Sequence, residues 1–459
     1  MGKGFRAEAT MKKWKATTLL TIVLVITAIL TVVSFARFPV GTKDFNGFLG
    51  AIETEYDLSG GTAYTLTLDK DNTEDVEDVK EVIDTLKTRL NLLGYENYSV
   101  KAIKDVDEAV KDYDIRIEAR GKVNKYGEID KSALAQDIAV VAAYGELKFF
   151  GGTSESPTEE ILTDDKVIAD ANYGGTQTDG STTYYLINIT FTDYGYSGIK
   201  KLMGDGTYYL RIDVGENSLT GTKGLSISAS TFTKTYSLTT TAGESSARQF
   251  ALQIKSGGLA YKYEVSDGED ISSPIGRNLE TKSVIAISAL IVAIIVAMFV
   301  LDKKYGVVSL LSAVLFTDIY LFLLIAIPGI KVSIGGVIAF ALAAVLLADG
   351  FMITSKRIKE EFARGKTVKS AVKSGFNRAL LPIAATSAIV TLSSLILFGF
   401  ASGALKNFAI VFAVGAALSA AINLLISRMF ANLILAIVKY NQSFLGLKRA
   451  EGNAEEAGE

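Results

Sequence analysis

The chain has 459 residues, a formal net charge of -3, 49% hydrophobic residues, no cysteine and no histidine. That composition excludes disulfides, cysteine-based zinc or redox chemistry and histidine proton relays, and it excludes a phosphate-backbone binder, which needs clustered cations. The apolar residues fall in one short block near the start and a long one after residue 283, so the chain is read as integral to a membrane.

Lys3, Arg6, Lys12, Lys13 and Lys15 precede Leu19–Ala36, an uncharged run long enough to span a bilayer. It reads either as a signal peptide, cleaved near Ser34-Phe35-Ala36, or as a retained anchor. The anchor reading is preferred, with the basic side cytoplasmic and everything from Arg37 onward outside.

Residues 37–152 are expected to form an extracytoplasmic base. Ala51–Tyr56 and Thr62–Leu68 alternate as two strands around Gly60-Gly61, where missing side chains allow a sharp bend. Val76, Val79, Ile83, Leu86, Leu90 and Leu93 mark a helix from Glu74, capped by Thr73 and stopped at Gly94. Strands at Tyr98–Ala102 and Tyr113–Ala119, a helix at Ser132–Tyr144 and a strand at Glu146–Phe150 complete a βαββαβ order, the ferredoxin-like split motif.

A polar stretch after Gly151-Gly152 marks a boundary. Residues 153–282 read as a second α+β head unit returning to the membrane. Its expected strands are Tyr184–Phe191 and Tyr208–Val214, and its helices Tyr194–Met203 and Ser245–Ser256. The Asn-x-Ser/Thr triplets at Asn97 and Asn188 carry little weight.

The membrane domain, 283–438, holds five apolar runs: Val284–Leu301, Gly306–Ile327, Val332–Ser355, Ala379–Phe400 and Phe408–Val438. With the first helix they make six spans. Lys356–Arg378 carries eight Lys or Arg against two Glu, so this loop and both termini are expected in the cytoplasm. Residues 1–18 are the cytoplasmic leader to the first helix (19–36), and 439–459 an acidic, disordered tail.

Two acids lie inside apolar runs. Asp349 is the principal candidate, because an ionised Asp in mid-bilayer costs about 3 kcal/mol or more and is retained for function; the alternative is a helix-end acid bonded to a neighbour or paired with Lys356 or Arg357. Asp318 is the second, either titrating together with Asp349 or bonding a Ser or Thr on an adjacent helix. Gly350 would let a neighbour or water approach Asp349. Lys356, Arg357 and Lys359 are read as headgroup anchors or as counter-charges to Asp349. Neither a nucleophile and base, a phosphate loop nor a metal cluster is visible, so no enzyme activity and no cofactor is expected.

On these residues the chain resembles the SecD side of the SecD/SecF family of protein-export membrane proteins, within the resistance-nodulation-division superfamily. Asp57-Leu58-Ser59-Gly60-Gly61 is similar to the family's Asp-Leu-x-Gly-Gly signature, and Arg89-Leu90-Asn91 with Gly94 to its Arg-x-Asn-x-x-Gly helix end. IKSGGL at 254–259 is similar to the turn before the second membrane helix. Asp349–Glu361, with Arg357, Glu360 and Glu361, is similar to its Asp-Ala-Asn motif and Arg-Ile-x-Glu-Glu continuation, and Gly375-Phe376 and Arg378-Ala379 to the next motif. The chain departs from the pattern at Phe351, where the family has Asn, and at Ala385 and Ser387, where a second Asp and Asn are expected.

The resemblance implies a six-helix protein with a ferredoxin-like base and a mobile head, in the cytoplasmic membrane of a bacterium. It implies a separate SecF-like subunit, the SecYEG channel and an unfolded exported polypeptide as partners, besides the lipid bilayer. The implied function is promotion of preprotein translocation by the protonmotive force after the ATP-driven step, with Asp349 carrying the proton and Asp318 or a partner replacing the missing second acid. Alternative readings are a proton-driven exporter of small amphiphiles or lipids, and a scaffold of the export complex without its own proton path.

Overall fold

The computed structural model describes residues 13–442 except 37, 41–42, 46, 70–78, 105–112, 124–128, 146, 163–166, 181, 204–206, 215–216, 220–223, 229, 231 and 260. The chain divides into a membrane unit, residues 1–60 with 272–459, and an α+β unit, residues 61–271. Residues 1–12 of the expected leader, the Thr73 cap, the Glu74 start and most of the acidic tail lie outside the described residues, whereas residues 13–18, also read as leader, belong to the first helix, Lys13–Phe35.

In chain order the main elements begin with α1 (Lys13–Phe35), β1 (Gly61–Leu68), α2 (Val79–Leu92), β2 (Tyr98–Lys104), β3 (Tyr113–Ala119), α3 (Lys131–Val141) and β4 (Leu147–Gly152). The head follows with β5 (Ile168–Asp179), β6 (Thr182–Phe191), α4 (Asp193–Met203), β7 (Thr207–Val214), β8 (Asn217–Ser218), β9 (Leu225–Ser228), β10 (Thr235–Thr240) and α5 (Glu244–Ser256). Then come β11 (Tyr263–Val265), β12 (Glu269–Ile271), α6 (Leu279–Asp302), α7 (Gly306–Ala326), α8 (Ile334–Ala363), α9 (Val368–Phe400), α10 (Gly403–Ala421) and α11 (Ser427–Ile437).

In the membrane unit five apolar stretches are long enough to cross a bilayer, and the one at Leu279–Ala326 is two helices, α6 and α7, joined by a short turn at Lys303–Tyr305. The expected six helices are therefore present. The last is interrupted by a π-helical turn, Ile422–Ile426, between α10 and α11. Small residues let the helices close up: a Cβ at Gly375 on α9 would fall 2.8 Å from the backbone nitrogen of Ile358 on α8.

The strand expected at Ala51–Tyr56 is not formed. Gly47–Ala51 and Tyr56–Ser59 are helical, and between them Thr54 makes one parallel bridge to Val332. The amide of Glu55 donates to Val332 O at 3.0 Å, and that of Val332 to Glu53 O at 2.7 Å. A short alternating run has no strand identity without a continuous partner, and among the described residues its one bridge here is to Val332, a loop residue.

In the α+β unit β1, α2, β2, β3 and α3 follow the split motif, and the antiparallel sheet has the order β11-β1-β3-β2, with β12 also on β1. Leu66, Leu86, Leu90, Ile115, Ile117, Leu134 and Ile138 form the buried base core. The closing strand is a correction to the sequence reading. β4 does not complete this sheet; it pairs with β7 from Leu147↔Val214 to Gly152↔Tyr209, and Phe149 is buried with the head residues. Alternation marks a strand but not its partner. The fourth edge comes from β11 and β12, which are short and expose Glu264, Val265, Glu269 and Asp270, so periodicity could not mark them.

The head holds two further antiparallel sheets, β8-β7-β9 with β4, and β10-β6-β5. They share a core with α5, whose Ala247, Ala251 and Ile254 are buried among Ile187, Ile189, Leu210 and Ile212.

Candidate functional site

The site is organised on α8. Its start is capped twice: Ser333 Oγ accepts the amide of Gly336 at 3.3 Å, and Asp57 Oδ2 accepts the amide of Ile334 at 3.1 Å. A carboxylate there meets both an unfilled backbone donor and the positive end of the helix dipole. Ser273 Oγ donates to the carbonyl of Asp57 at 2.6 Å. The last residues before the α+β unit and the first after it therefore meet at the α8 N-terminus. Glu55, also buried, accepts from Asn407 Nδ2 of α10 at 3.4 Å.

One face of α8 is packed: Ala339, Phe340, Ala343, Ala344, Leu347, Gly350, Phe351, Thr354 and Ile358 are buried. The face carrying Ile338, Leu342, Val345 and Asp349 is exposed in this chain. The spacing of four, three and four residues makes that face a single stripe. Asp349 is thus a carboxylate on an apolar helix surface, and no hydrogen bond or ion pair to it is found among the described residues.

Gly350 serves the packed face. A Cβ there would fall 2.5 Å from Cγ of Asn423, whose Nδ2 donates to Leu347 O at 3.1 Å. Asn423 lies in the π-helical turn, a feature common at functional sites. The sequence reading missed it, although an amide inside the apolar run from Phe408 to Val438, one of two with Asn432, was the available signal.

The basic residues after Asp349 do not neutralise it. Arg357 pairs with Glu360 at 2.8 Å, both half exposed. Lys359 pairs with buried Asp302 at 2.7 Å, and the same oxygen accepts from Ser355 Oγ at 2.5 Å. Asp302 was missed because an acid beside Lys303 at the end of a run reads as a membrane boundary. Glu361 is 1% exposed and is held by Arg364 at 2.8 Å, Lys366 at 2.5 Å and Arg378 of α9 at 2.9 Å. It fastens the end of α8 to the start of α9.

Asp318 does not join Asp349. It is 1% exposed on α7, where Oδ2 lies 2.7 Å from Thr31 Oγ1 of α1. Ala385 is exposed on α9 and Ser387 buried, so the missing second acid would have stood on an outer surface of the bundle.

The remaining signature residues are structural. Arg89 is fully buried and donates to Val141 O and Ala143 O, both at 2.8 Å, to Ser256 Oγ at 3.0 Å and to Gly257 O at 3.1 Å. Carbonyls at the C-terminal ends of α3 and α5 thus take the place of a counter-ion. Burial lowers the Arg89 pKa to about 10, which leaves it charged at neutral pH. Asn91 Oδ1 accepts from the hydroxyl of Tyr98 at 2.9 Å. Gly60 has φ +81°, and a Cβ at Gly61 would fall 2.7 Å from the carbonyl carbon of Ala119. No cluster of three or more His, Cys, Asp or Glu suited to a metal occurs among the described residues.

Fold and site define a multi-pass membrane protein with an α+β unit inserted after its first helix and a carboxylate on the open face of a central helix. The family model described as protein export membrane protein SecD/SecF, C-terminal, matches residues 253–437. The protein translocase subunit SecD of Escherichia coli K12 is 26% identical over 189 residues, 41% of this chain and 31% of that protein. SecD of a Synechocystis strain is 26% identical over 198 residues, 43% of this chain and 42% of that protein. The alignments span less than half the length of these curated relatives. A crystal structure of SecDF in a super-membrane-facing form shares the fold, with a TM-score of 0.67 at 19% identity, covering 92% of this chain and 58% of that one. Over residues 253–437 the chain is similar to the SecD/SecF family.

Proposed function

We propose that the chain is an accessory subunit of Sec protein export in the cytoplasmic membrane of a bacterium, that it draws on the protonmotive force after the ATP-driven step, and that Asp349 carries the proton. The observation that carries this reading is the position of Asp349 on the bare apolar stripe of α8. An acid left there in lipid would cost about 3 kcal/mol or more. A second helical bundle covering the stripe, as a SecF-like chain would, removes that cost and encloses the acid between two subunits.

In this reading α8 is the moving part. Protonation of Asp349 changes the charge of the stripe, and Asp57 and Ser273 at the helix start pass a displacement to both chain crossings into the α+β unit, which lies outside the cell and holds the exported polypeptide. A charge crossing the membrane releases about 2.3 kcal/mol per 100 mV, comparable with the few kcal/mol that separate conformers of a two-state protein. SecYEG is the channel served. The test is complementation: in cells depleted of their own SecD, this chain with its SecF-like partner restores secretion of a reporter, and failure to restore it rejects the export role.

A cavity of about 350 Å³ in the membrane unit, lined by Leu49, Ile52, Leu58, Ile287, Leu321 and Phe340 among others, favours a second reading, export of a small amphiphile or lipid. Normal secretion with defective dye or lipid export in depleted cells would select it.

A further inference from the structure

Asp318 is a second buried acid, on a different seam from Asp349, and the export reading does not use it. We infer that Asp318 is a proton-binding site in its own right: it holds a proton at neutral pH, donates it in a hydrogen bond to Thr31, and its ionisation rearranges the seam between α1 and α7. This inference does not depend on the export reading.

The argument is a count of hydrogens. Thr31 Oγ1 lies 2.7 Å from Asp318 Oδ2 and 3.0 Å from the carbonyl of Thr27 on its own helix. One hydroxyl hydrogen cannot serve both oxygens. With Asp318 protonated, its O–H donates to Thr31 Oγ1 and Thr31 donates to Thr27 O, so both contacts are hydrogen bonds. With Asp318 ionised, Thr31 must leave Thr27 O, and the carboxylate is left with hydroxyls alone.

The surroundings supply one more hydroxyl, that of Ser34. Asp318 Oδ1 and the hydroxyl of Ser34, fully buried on α1, lie beside one another, close enough for the hydroxyl to act on the carboxyl but without a well-formed hydrogen bond in this arrangement. The elements packed on α7 carry Lys13 and Lys15 at the start of α1, Glu280, Lys282 and Asp302 on α6, and Lys303, Lys304 and Tyr305 in the turn. They also carry Asp349 and the charged residues from Lys356 to Glu361 on α8, Lys406 on α10 and Arg428 on α11. On α7 itself Tyr320 donates to Val411 O. None of these forms an ion pair or hydrogen bond with Asp318 among the described residues. An acid buried without a cation or a backbone N–H is accommodated in its neutral form. Ser34 is then a reserve donor, free to turn toward the carboxylate when the proton leaves. Thr31 and Ser34 together make the seam two-state.

The test is infrared difference spectroscopy of the full chain in lipid nanodiscs, with Asp349→Asn as the assignment control. A protonated carboxylic C=O band at neutral pH that disappears in Asp318→Asn and survives in Asp349→Asn is the expected result. The same band in Thr31→Val shifts, because its hydrogen-bond acceptor is gone. In Thr31→Val with Ser34→Ala the alkaline loss of the band moves to higher pH, because the ionised form has lost its donors. The absence of any neutral-pH acid band lost in Asp318→Asn overturns the inference, and an unmoved alkaline midpoint in the double variant overturns the role of the two hydroxyls.

Discussion

Asp57 and the amide of Ile334, 3.1 Å apart, join the end of the segment that enters the α+β unit to the first turn of the helix that carries Asp349. The Asp57 of the Asp-Leu-x-Gly-Gly signature is therefore the cap of a membrane helix. Asp57→Ala removes one capping bond and a favourable charge at the dipole, worth about 1 to 2 kcal/mol. Hydrogen exchange at Ile334–Gly336 is expected to quicken. Asp57→Asn keeps the acceptor and is expected to show a smaller effect.

Arg89→Leu leaves the carbonyls of Val141, Ala143 and Gly257 without this donor. The cost of orphaned buried acceptors, about 1 to 3 kcal/mol each where water cannot replace the partner, predicts a lower denaturation midpoint for the α+β unit. Arg89→Lys retains the charge but not the planar fork and is expected to recover only part of the loss. Chemical denaturation of the full chain in detergent measures both.

The α+β unit is expected to lose stability in alkali. Burial raises the phenol of Tyr263 from 10 to about 12, and burial together with the Asp137 carboxylate raises that of Tyr95. The folded state holds these protons longer than the unfolded state. Their contribution is therefore complete below about pH 10 and is lost as pH rises through the folded values. Tyr263→Phe should flatten the dependence of the denaturation midpoint between pH 10 and 12.

Gly350→Ala forces a methyl against the Asn423 side chain. Overpacking of this kind costs about 1 to 3 kcal/mol, read as a fall in thermal midpoint in detergent. Asn423→Ala should relieve the clash, so the double variant is expected to be less unstable than the sum of the single ones, a coupling between contacting residues.

How much of this was legible in the sequence follows from what apolar patterning encodes. The membrane helices were visible as long runs, and α6 extends the expected Val284–Leu301 by only a few residues, to Leu279–Asp302. Periodicity also located α2 and β1. It could not pair β4 with β7, because a strand's partner is decided by the core that Phe149 enters, nor reveal β11 and β12, which are three residues each and expose two of them.

Asp349 and Asp318 were both conspicuous as charges in apolar runs. Their separation was not, since the face each takes depends on which helices lie beside it. Thr31 is far from Asp318 in sequence, and nothing local ties the two. Arg89 is a related case. Its motif marked a helix end, whereas a cation among helix C-terminal carbonyls is a structural tie that only the assembled unit makes evident.

The most direct test of the central claim uses cells depleted of their own SecD and supplied with this chain and a SecF-like subunit, the partner proposed for it. Secretion of a reporter is measured with and without an uncoupler. Asp349→Asn is expected to abolish the uncoupler-sensitive part of secretion while the protein remains folded and in the membrane. Full secretion by that variant, still sensitive to the uncoupler, would contradict the claim that Asp349 carries the proton.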